Sequence, residues 1–353
     1  ILANKLNYMK VDNTPQLDFK DVLIRPKRTT LTSRSQVELE RELKFPHSKQ
    51  VWKGIPIISA NMDTTGTFGV YDVLSKYKML TCLNKYYNLK DFEERWKENP
   101  MDPDYFMIST GIDERNFSNL NDIVTFTKCK WLCVDIANGY MEQLVYFCQK
   151  CRASFKDIIL VAGNVATREM VEELVINGKV DIVKVGIGPG SACLTRLKTG
   201  VGVPQLSAIM DCADAAHGLN ANIIGDGGVT CPGDMAKAFG GGADLVMCGG
   251  VFAGHEENPG EMIELNGEKF KLFYGMSSDH AQKKYYGKMN NYRSSEGRVV
   301  KVIYKGKLEN TVNDYLGGLR STCTYINSSC IKYMPKCTTF LLVGQQLNTH
   351  LVK

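Results

Sequence analysis

The sequence of 353 residues predicts an α/β fold: a TIM (β/α)8 barrel with an N-terminal arm and a flap insertion after strand 8. Three observations carry that expectation. Short apolar runs alternate with helical patterns, which signals βαβ units and a parallel sheet. About eight such runs occur, the number that closes a barrel. No G-x-G-x-x-G opens a helix within a first βαβ unit, which argues against the alternative of an open doubly wound sheet. The glycine run Gly186-Ile-Gly188-Pro-Gly190 follows the sixth apolar run and has a proline where a nucleotide-binding helix should begin.

Residues 1–54 are polar and irregular and read as an arm packed on the barrel, with one short strand near 37–43. The barrel strands are expected at 55–60, 79–83, 105–109, 131–136, 158–162, 181–185, 222–225 and 244–248. Helices fall between them, for example 167–177, with Val171, Leu174 and Val175 on one face, and 205–217. Residues 251–310 read as a flap, because long insertions at the catalytic rim of a barrel serve as lids. A last helix is expected at 311–320, and the whole of 1–353 is read as a single domain.

The formal net charge of +5 is mild and no basic stripe interleaved with aromatics occurs, which excludes nucleic acid as the expected partner. No apolar run of about 18 residues could span a membrane, and no signal peptide opens the chain, whose first residue, Ile1, is expected to follow a trimmed start. The twelve cysteines are scattered through apolar segments, where a reduced thiol acts as a small hydrophobe, so a cytoplasmic setting is expected. Cys148 and Cys151 have CxxC spacing but lie in a helical pattern with no second pair, which disfavours a metal or redox role. The five histidines show no metal spacing and read as structural or surface residues.

The chemistry centres on the loop after the sixth strand. Gly186, Gly188, Gly190, Gly200 and Gly202 surround Cys193 and Thr195. Such density of glycine is useful where backbone takes unusual dihedrals or approaches a ligand. Arg196 and Lys198 stand close in sequence, and positive charge there would favour a thiolate nucleophile. The other strands end in Asn61-Met-Asp63, Asn84-Lys85, Asp135, Gly163-Asn164, Asp226-Gly-Gly228 and Gly249-Gly250. In a barrel all these ends share one rim, and glycines after strands seven and eight are where a phosphate is held. Taken singly, each residue also has a plainer reading. Cys193 could be a structural thiol, Glu296 a solvated carboxylate, Lys85 a surface lysine and Asp226 part of an Asp-Gly turn.

Taken together, Gly186-Ile-Gly-Pro-Gly-Ser-Ala-Cys-Leu-Thr195, Asp226-Gly-Gly228, Gly249-Gly250 and Gly275-Met-Ser277 resemble the IMP dehydrogenase/GMP reductase family along essentially the whole chain. Three features are similar to its reductase branch. The opening Leu17-Asp-Phe-Lys-Asp-Val-Leu-Ile-Arg-Pro-Lys-Arg28 matches that branch, and no space exists for the dehydrogenase's cystathionine-synthase-like modules. Arg293-Ser-Ser-Glu-Gly297 stands where the dehydrogenase flap has Arg-Tyr.

The resemblance implies NADPH-dependent reductive deamination of GMP to IMP and ammonia. Cys193 would attack C2 of the purine and form a thioimidate, with Thr195 and Glu296 handling protons on the leaving amine. Ser191, Asp226, Gly227, Gly228, Gly249, Gly250, Gly275, Met276, Ser277, Arg293, Ser294, Ser295 and Gly297 would hold the nucleotide. Lys85, Asp135, Ile136, Ala137 and Met276 would line the nicotinamide pocket of the NADPH site, and Tyr292 and Arg293 would also bind the cofactor. Ser33, Arg34, Ser321, Thr322, Cys323 and Thr324 would form its far end, and carbonyls of Gly188, Gly190 and Cys193 a potassium site. A homotetramer is implied as well. Two positions depart from the family pattern: Leu194 replaces a threonine and Asn84 a histidine. Competing readings are a minimal IMP dehydrogenase, a catalytically silent purine-nucleotide-binding barrel and a flavin-dependent phosphate-binding barrel.

Overall fold

The structure is a computed structural model and describes residues 11–287 and 294–344. Eight parallel strands, Ile57–Ser59, Leu80–Cys82, Phe106–Thr110, Trp131–Asp135, Ile159–Val165, Ile182–Val185, Asn222–Asp226 and Leu245–Cys248, close into a barrel in chain order. All eight expected runs are barrel strands, with ends moved by local chemistry. Pairing of the first begins after Pro56, which has no N–H to give a ladder. The sixth and eighth begin one residue late, and just before them Asp181 and Asp244 turn their carboxylates to the barrel's N-terminal mouth. Asp181 accepts from the His47 and Ser48 amides at 2.9 and 3.1 Å and from Arg152 at 2.6 Å. Asp244 accepts from Arg41 at 2.6 Å.

Those carboxylates hold a plug that the sequence reading missed in part. The arm carries an antiparallel hairpin, Arg41–Lys44 with Val51–Gly54, rather than one short strand at 37–43. Each strand is four residues long and largely charged outside, so its alternation is faint. The inward pleat puts Leu43 and Trp52 into the barrel floor. There Phe45 and Trp52 meet Trp131 edge-on, each at a centroid distance of 5.5 Å. A second core fills the space between barrel and helices. Helix Arg168–Ile176 gives it Val171, Leu174 and Val175 as expected, and helix Gln205–Gly218 gives it Leu206, Ile209, Cys212 and Ala216.

Helix Leu308–Tyr325 is longer than the expected 311–320, because Leu308 and Cys323 at its two ends are both buried. It packs closely on the helix Pro232–Gly240: a Cβ on Gly318 would stand 2.4 Å from Pro232 Cβ. Within 251–310, strands Ile263–Leu265, Glu268–Tyr274 and Val299–Ile303 form an antiparallel sheet, with helix Asp279–Tyr286 between the last two. Cys148 and Cys151 both point into the core from helix Glu142–Ser154, and burial pushes the Cys151 thiol up to about 12. All twelve cysteines are free thiols. Among the described residues no helix is long and apolar enough to cross a membrane.

His255 joins the start of the insertion to helix Leu308–Tyr325, its Nε2 lying 2.7 Å from Thr311 Oγ1. The residue is fully buried, and burial pushes its pKa from 6.5 down to about 4. The unfolded chain therefore binds a proton below pH 6.5 that the folded chain refuses until pH 4. Stability should fall through that window by about 3 kcal/mol in all from this group. A His255→Gln variant should show a shallower loss between pH 6.5 and 4 in chemical denaturation; an unchanged slope would refute the assignment.

Candidate active site

Strand Ile182–Val185 ends at Gly186, and the chain then folds back on itself before helix Thr195–Thr199. The Cys193 amide donates to the Gly190 carbonyl at 2.9 Å, closing the turn beneath the thiol. Gly188 has φ +83°, and a Cβ there would stand 2.5 Å from Arg196 Cγ. Glycine here thus makes room for the protein's own arginine. Arg196 corrects the reading of it as a cation beside the thiol: its guanidinium donates to Asp18 at 3.1 Å and to the Val203 carbonyl at 2.7 Å. It buttresses the loop against the arm, and Lys198 is exposed.

What the half-buried thiol meets is a hydroxyl and a carboxylate. Cys193 Sγ–H donates to Thr195 Oγ1 at 3.2 Å, and the Thr195 hydroxyl donates to Glu296 Oε2 at 2.7 Å. Glu296 lies 101 positions downstream of Thr195. The flap brings it in by pairing with the cysteine loop like an added strand. Cys193 and Gly297 form an antiparallel bridge, the Leu194 amide donates to the Glu296 carbonyl at 2.6 Å, and Arg298 N donates to the Ala192 carbonyl at 3.0 Å. Leu194 serves through its backbone, so the missing hydroxyl leaves this contact intact. Close approach needs glycine on both sides, since a Cβ on Gly275 would stand 2.8 Å from the Ala192 carbonyl and 3.0 Å from Gly297 Cα.

Around this centre lie residues expected to hold the nucleotide. Gly227, at φ +88°, lies beside Gly190, and a Cβ on Gly250 would reach Ser191 Oγ at 2.9 Å. Gly249 faces Met62 and Phe273, and Gly228 lies over Pro189. Ser295 accepts from the Asp279 amide at 3.1 Å and donates to the Gly297 carbonyl at 3.0 Å. The Met276 carbonyl accepts from Gln282 at 3.2 Å, while Ser277 and Ser294 are exposed. Tyr292 and Arg293 lie outside the described residues.

The barrel mouth holds a group that sequence reasoning missed. Lys184 points inward from the sixth strand and bridges Asp226 Oδ2 at 2.7 Å and Asp135 Oδ1 at 3.1 Å. Asn164 donates to Asp226 at 2.9 Å and Asn61 to Asp135 at 2.6 Å. Burial alone would lower the lysine's pKa, but the two carboxylates outweigh it and hold it well above the usual range. Burial likewise opposes ionisation of Asp135, and Lys184 with Asn61 wins, keeping it ionised. The available signal was a lone lysine inside an apolar strand, Ile182-Val-Lys-Val185.

On the side expected for the nicotinamide, Lys85 is exposed beside Gly111, Ile136 is half-buried and Ala137 exposed. Asn84 is buried and structural, donating to the Gly66 carbonyl at 2.9 Å and accepting from the Tyr86 amide at 3.1 Å. Ser33, Arg34 and Thr324 share a separate cavity of about 260 Å³ with Lys27, Thr29 and Thr32, and none of its lining belongs to the Cys193 loop or the flap. The Ser321 and Thr322 hydroxyls donate to carbonyls of their own helix, and Cys323 packs into the core.

A closed barrel whose rim presents this thiol, hydroxyl and carboxylate is the architecture the motifs implied. Residues 16–348 match the family described as IMP dehydrogenase / GMP reductase domain, and the chain belongs to that family. Among its relatives, GMP reductase 2 of Mus musculus and that of Homo sapiens are each 53% identical over 339 residues, spanning 96% of this chain and 97% of theirs. GMP reductase of Yersinia enterocolitica is 53% identical over 342 residues, 96% of this chain and 98% of its own.

Proposed function

We propose that this chain is a GMP reductase, an oxidoreductase that converts GMP to IMP and ammonia with NADPH. One observation carries the reading: the path Cys193 Sγ to Thr195 Oγ1 to Glu296 Oε2, at 3.2 and 2.7 Å. Along it the thiol proton passes through the hydroxyl to the carboxylate, leaving a thiolate to attack C2 of the purine. The protonated Glu296 then delivers that proton, through Thr195, to the departing 2-amino group, and ammonia leaves a thioimidate on Cys193. NADPH supplies the hydride that reduces C2, after which the C–S bond breaks and the thiolate returns. The flap strand over the loop limits water at the thioimidate, as reduction rather than hydrolysis requires.

In this reading Ser191 and the amides of Gly227, Gly228, Gly249 and Gly250 take the phosphate and ribose, together with Asp226. The small residues crowded around Ser191 and Gly190 suit a phosphate bound by backbone N–H groups. Lys85 and Asp135 suit the nicotinamide ribose. Ser33, Arg34 and Thr324 supply a basic, hydroxyl-rich cavity fit for the adenosine end of a cofactor bound mainly by a neighbouring subunit of a homotetramer. Among the described residues no group of three or more His, Cys, Asp or Glu is placed to hold a metal. A potassium ion at Gly188, Gly190 and Cys193 would thus rest on carbonyls, which suits a hard monovalent cation. Residues 1–353 form one domain in this reading, with 251–310 as its flap, and twelve free thiols fit the cytoplasm.

The test follows nicotinamide absorbance with two substrate pairs, GMP with NADPH and IMP with NAD. Oxidation of NADPH by GMP is expected, with ammonia released in equal amount. Turnover of the second pair alone would make the chain a dehydrogenase, and turnover of neither would leave a silent binding barrel.

A further inference from the structure

Besides its contact with the cysteine loop, the flap is held at a second place by a single carboxylate. Asp63 follows the first barrel strand, and its side chain is 4% exposed. Its Oδ2 accepts from Tyr274 OH at 2.7 Å, Lys284 Nζ at 2.8 Å and Tyr285 OH at 2.6 Å. All three donors belong to the flap: Tyr274 ends its middle strand, and the other two lie in the last turn of helix Asp279–Tyr286. The Tyr285 ring also stacks on Tyr86, in the loop that carries Lys85, with centroids 3.4 Å apart and planes 5° from parallel. At the helix's other end, Ser295 takes the Asp279 amide and donates to Gly297, on either side of Glu296. The helix therefore links Asp63 to Glu296 without a break.

The geometry points to Asp63 as a positioning residue: it latches helix Asp279–Tyr286 to the barrel rim and, through Ser295, holds Glu296 against Thr195. This inference rests on the reading that Glu296, Thr195 and Cys193 form the reacting centre. The latch is built to release. Its donors converge on one oxygen, and Asp63 Oδ1 has no partner among the described residues. Asp63, Tyr86 and Tyr285 also line a cavity of about 510 Å³, so water can take over each bond as the helix lifts. A charge-assisted bond from Lys284 supplies attraction that the phenols alone lack, and burial together with Asp63 keeps the Tyr285 phenol protonated and donating.

The experiment compares Asp63→Ala, Lys284→Met and Tyr285→Leu with the parent by alkylation of Cys193, read on its own peptide by mass spectrometry. Opening the latch uncovers the thiol, so alkylation should speed up about tenfold in Asp63→Ala, and kcat should fall by about the same factor with KM for GMP changed less than about threefold. Adding Lys284→Met to Asp63→Ala should cost little more, because the Lys284–Asp63 bond is already cut and only the lysine's 3.2 Å bond to Tyr274 remains to be lost. Tyr285→Leu, on a half-exposed helix face, keeps the test open should Asp63→Ala fail to fold. Unchanged alkylation in folded Asp63→Ala or Tyr285→Leu would overturn the latch, whatever the reaction. Faster alkylation in a protein whose Cys193→Ala form still turns over would instead refute the proposed chemistry and leave the latch standing.

Discussion

Cys193→Ala abolishes turnover of GMP, by at least about 10⁴-fold, and still binds the nucleotide. The sulfur is the group from which the hydrogen-bonded path to Glu296 starts, and neither Thr195 nor water can replace a thiolate as leaving and attacking group. In the proposed site the phosphate and ribose are held by Asp226 to Gly228 and Gly249 to Gly250 on other loops and by Ser191, whose own groups the substitution spares, so affinity for GMP in equilibrium dialysis should change by less than about tenfold. The side chain is small and half-exposed, so the variant should melt with the parent. Retained turnover would remove the nucleophile from the mechanism.

Lys184→Met has the second largest effect, and it strikes folding as well as activity. The lysine is 4% exposed and is shared by two carboxylates at 2.7 and 3.1 Å. Removing one partner of a buried ion cluster leaves uncompensated charge, which costs about 3–5 kcal/mol. The loss should appear in urea denaturation at pH 7. It should shrink as pH falls, because Asp135, held ionised chiefly by that lysine against burial, can then take up a proton. A loss below about 1 kcal/mol would mean that water or sodium satisfies the carboxylates and that Lys184 is dispensable to the fold.

Much of this was legible from the chain alone, and the limits were physical. Strands such as Trp131–Asp135 and Ile182–Val185 are apolar on both faces and stand out between amphipathic helices. The hairpin Arg41–Lys44 and Val51–Gly54 did not, because a plug needs only two large inward side chains, Leu43 and Trp52, and the remainder stays charged. Cys193, Thr195 and Glu296 came from motifs and the flap from the length of 251–310, but the strand-like pairing that lays Glu296 on the cysteine loop joins segments about a hundred residues apart, which no local pattern foretells. Arg196 was misread because sequence proximity to Cys193 says nothing about direction, and Asp18, 178 residues away, claims its charge. Lys184 was passed over for the same reason, and Asp63 was read only as one of the polar strand ends at the rim. Each draws its meaning from partners remote in sequence, such as Asp226 for the first and Tyr285 for the second.

The most direct test runs the reduction backwards. IMP and NADP⁺ are mixed with the enzyme, ammonia is withheld, the reaction is quenched in acid, and the peptides are weighed. In the proposed mechanism the thiolate adds to C2 as hydride departs, and without ammonia the adduct should not proceed to GMP. The peptide bearing Cys193 should gain the mass of IMP less two hydrogens, in step with NADPH formed. NADPH appearing while that peptide stays unmodified, or an adduct on any other cysteine, would contradict covalent catalysis at Cys193.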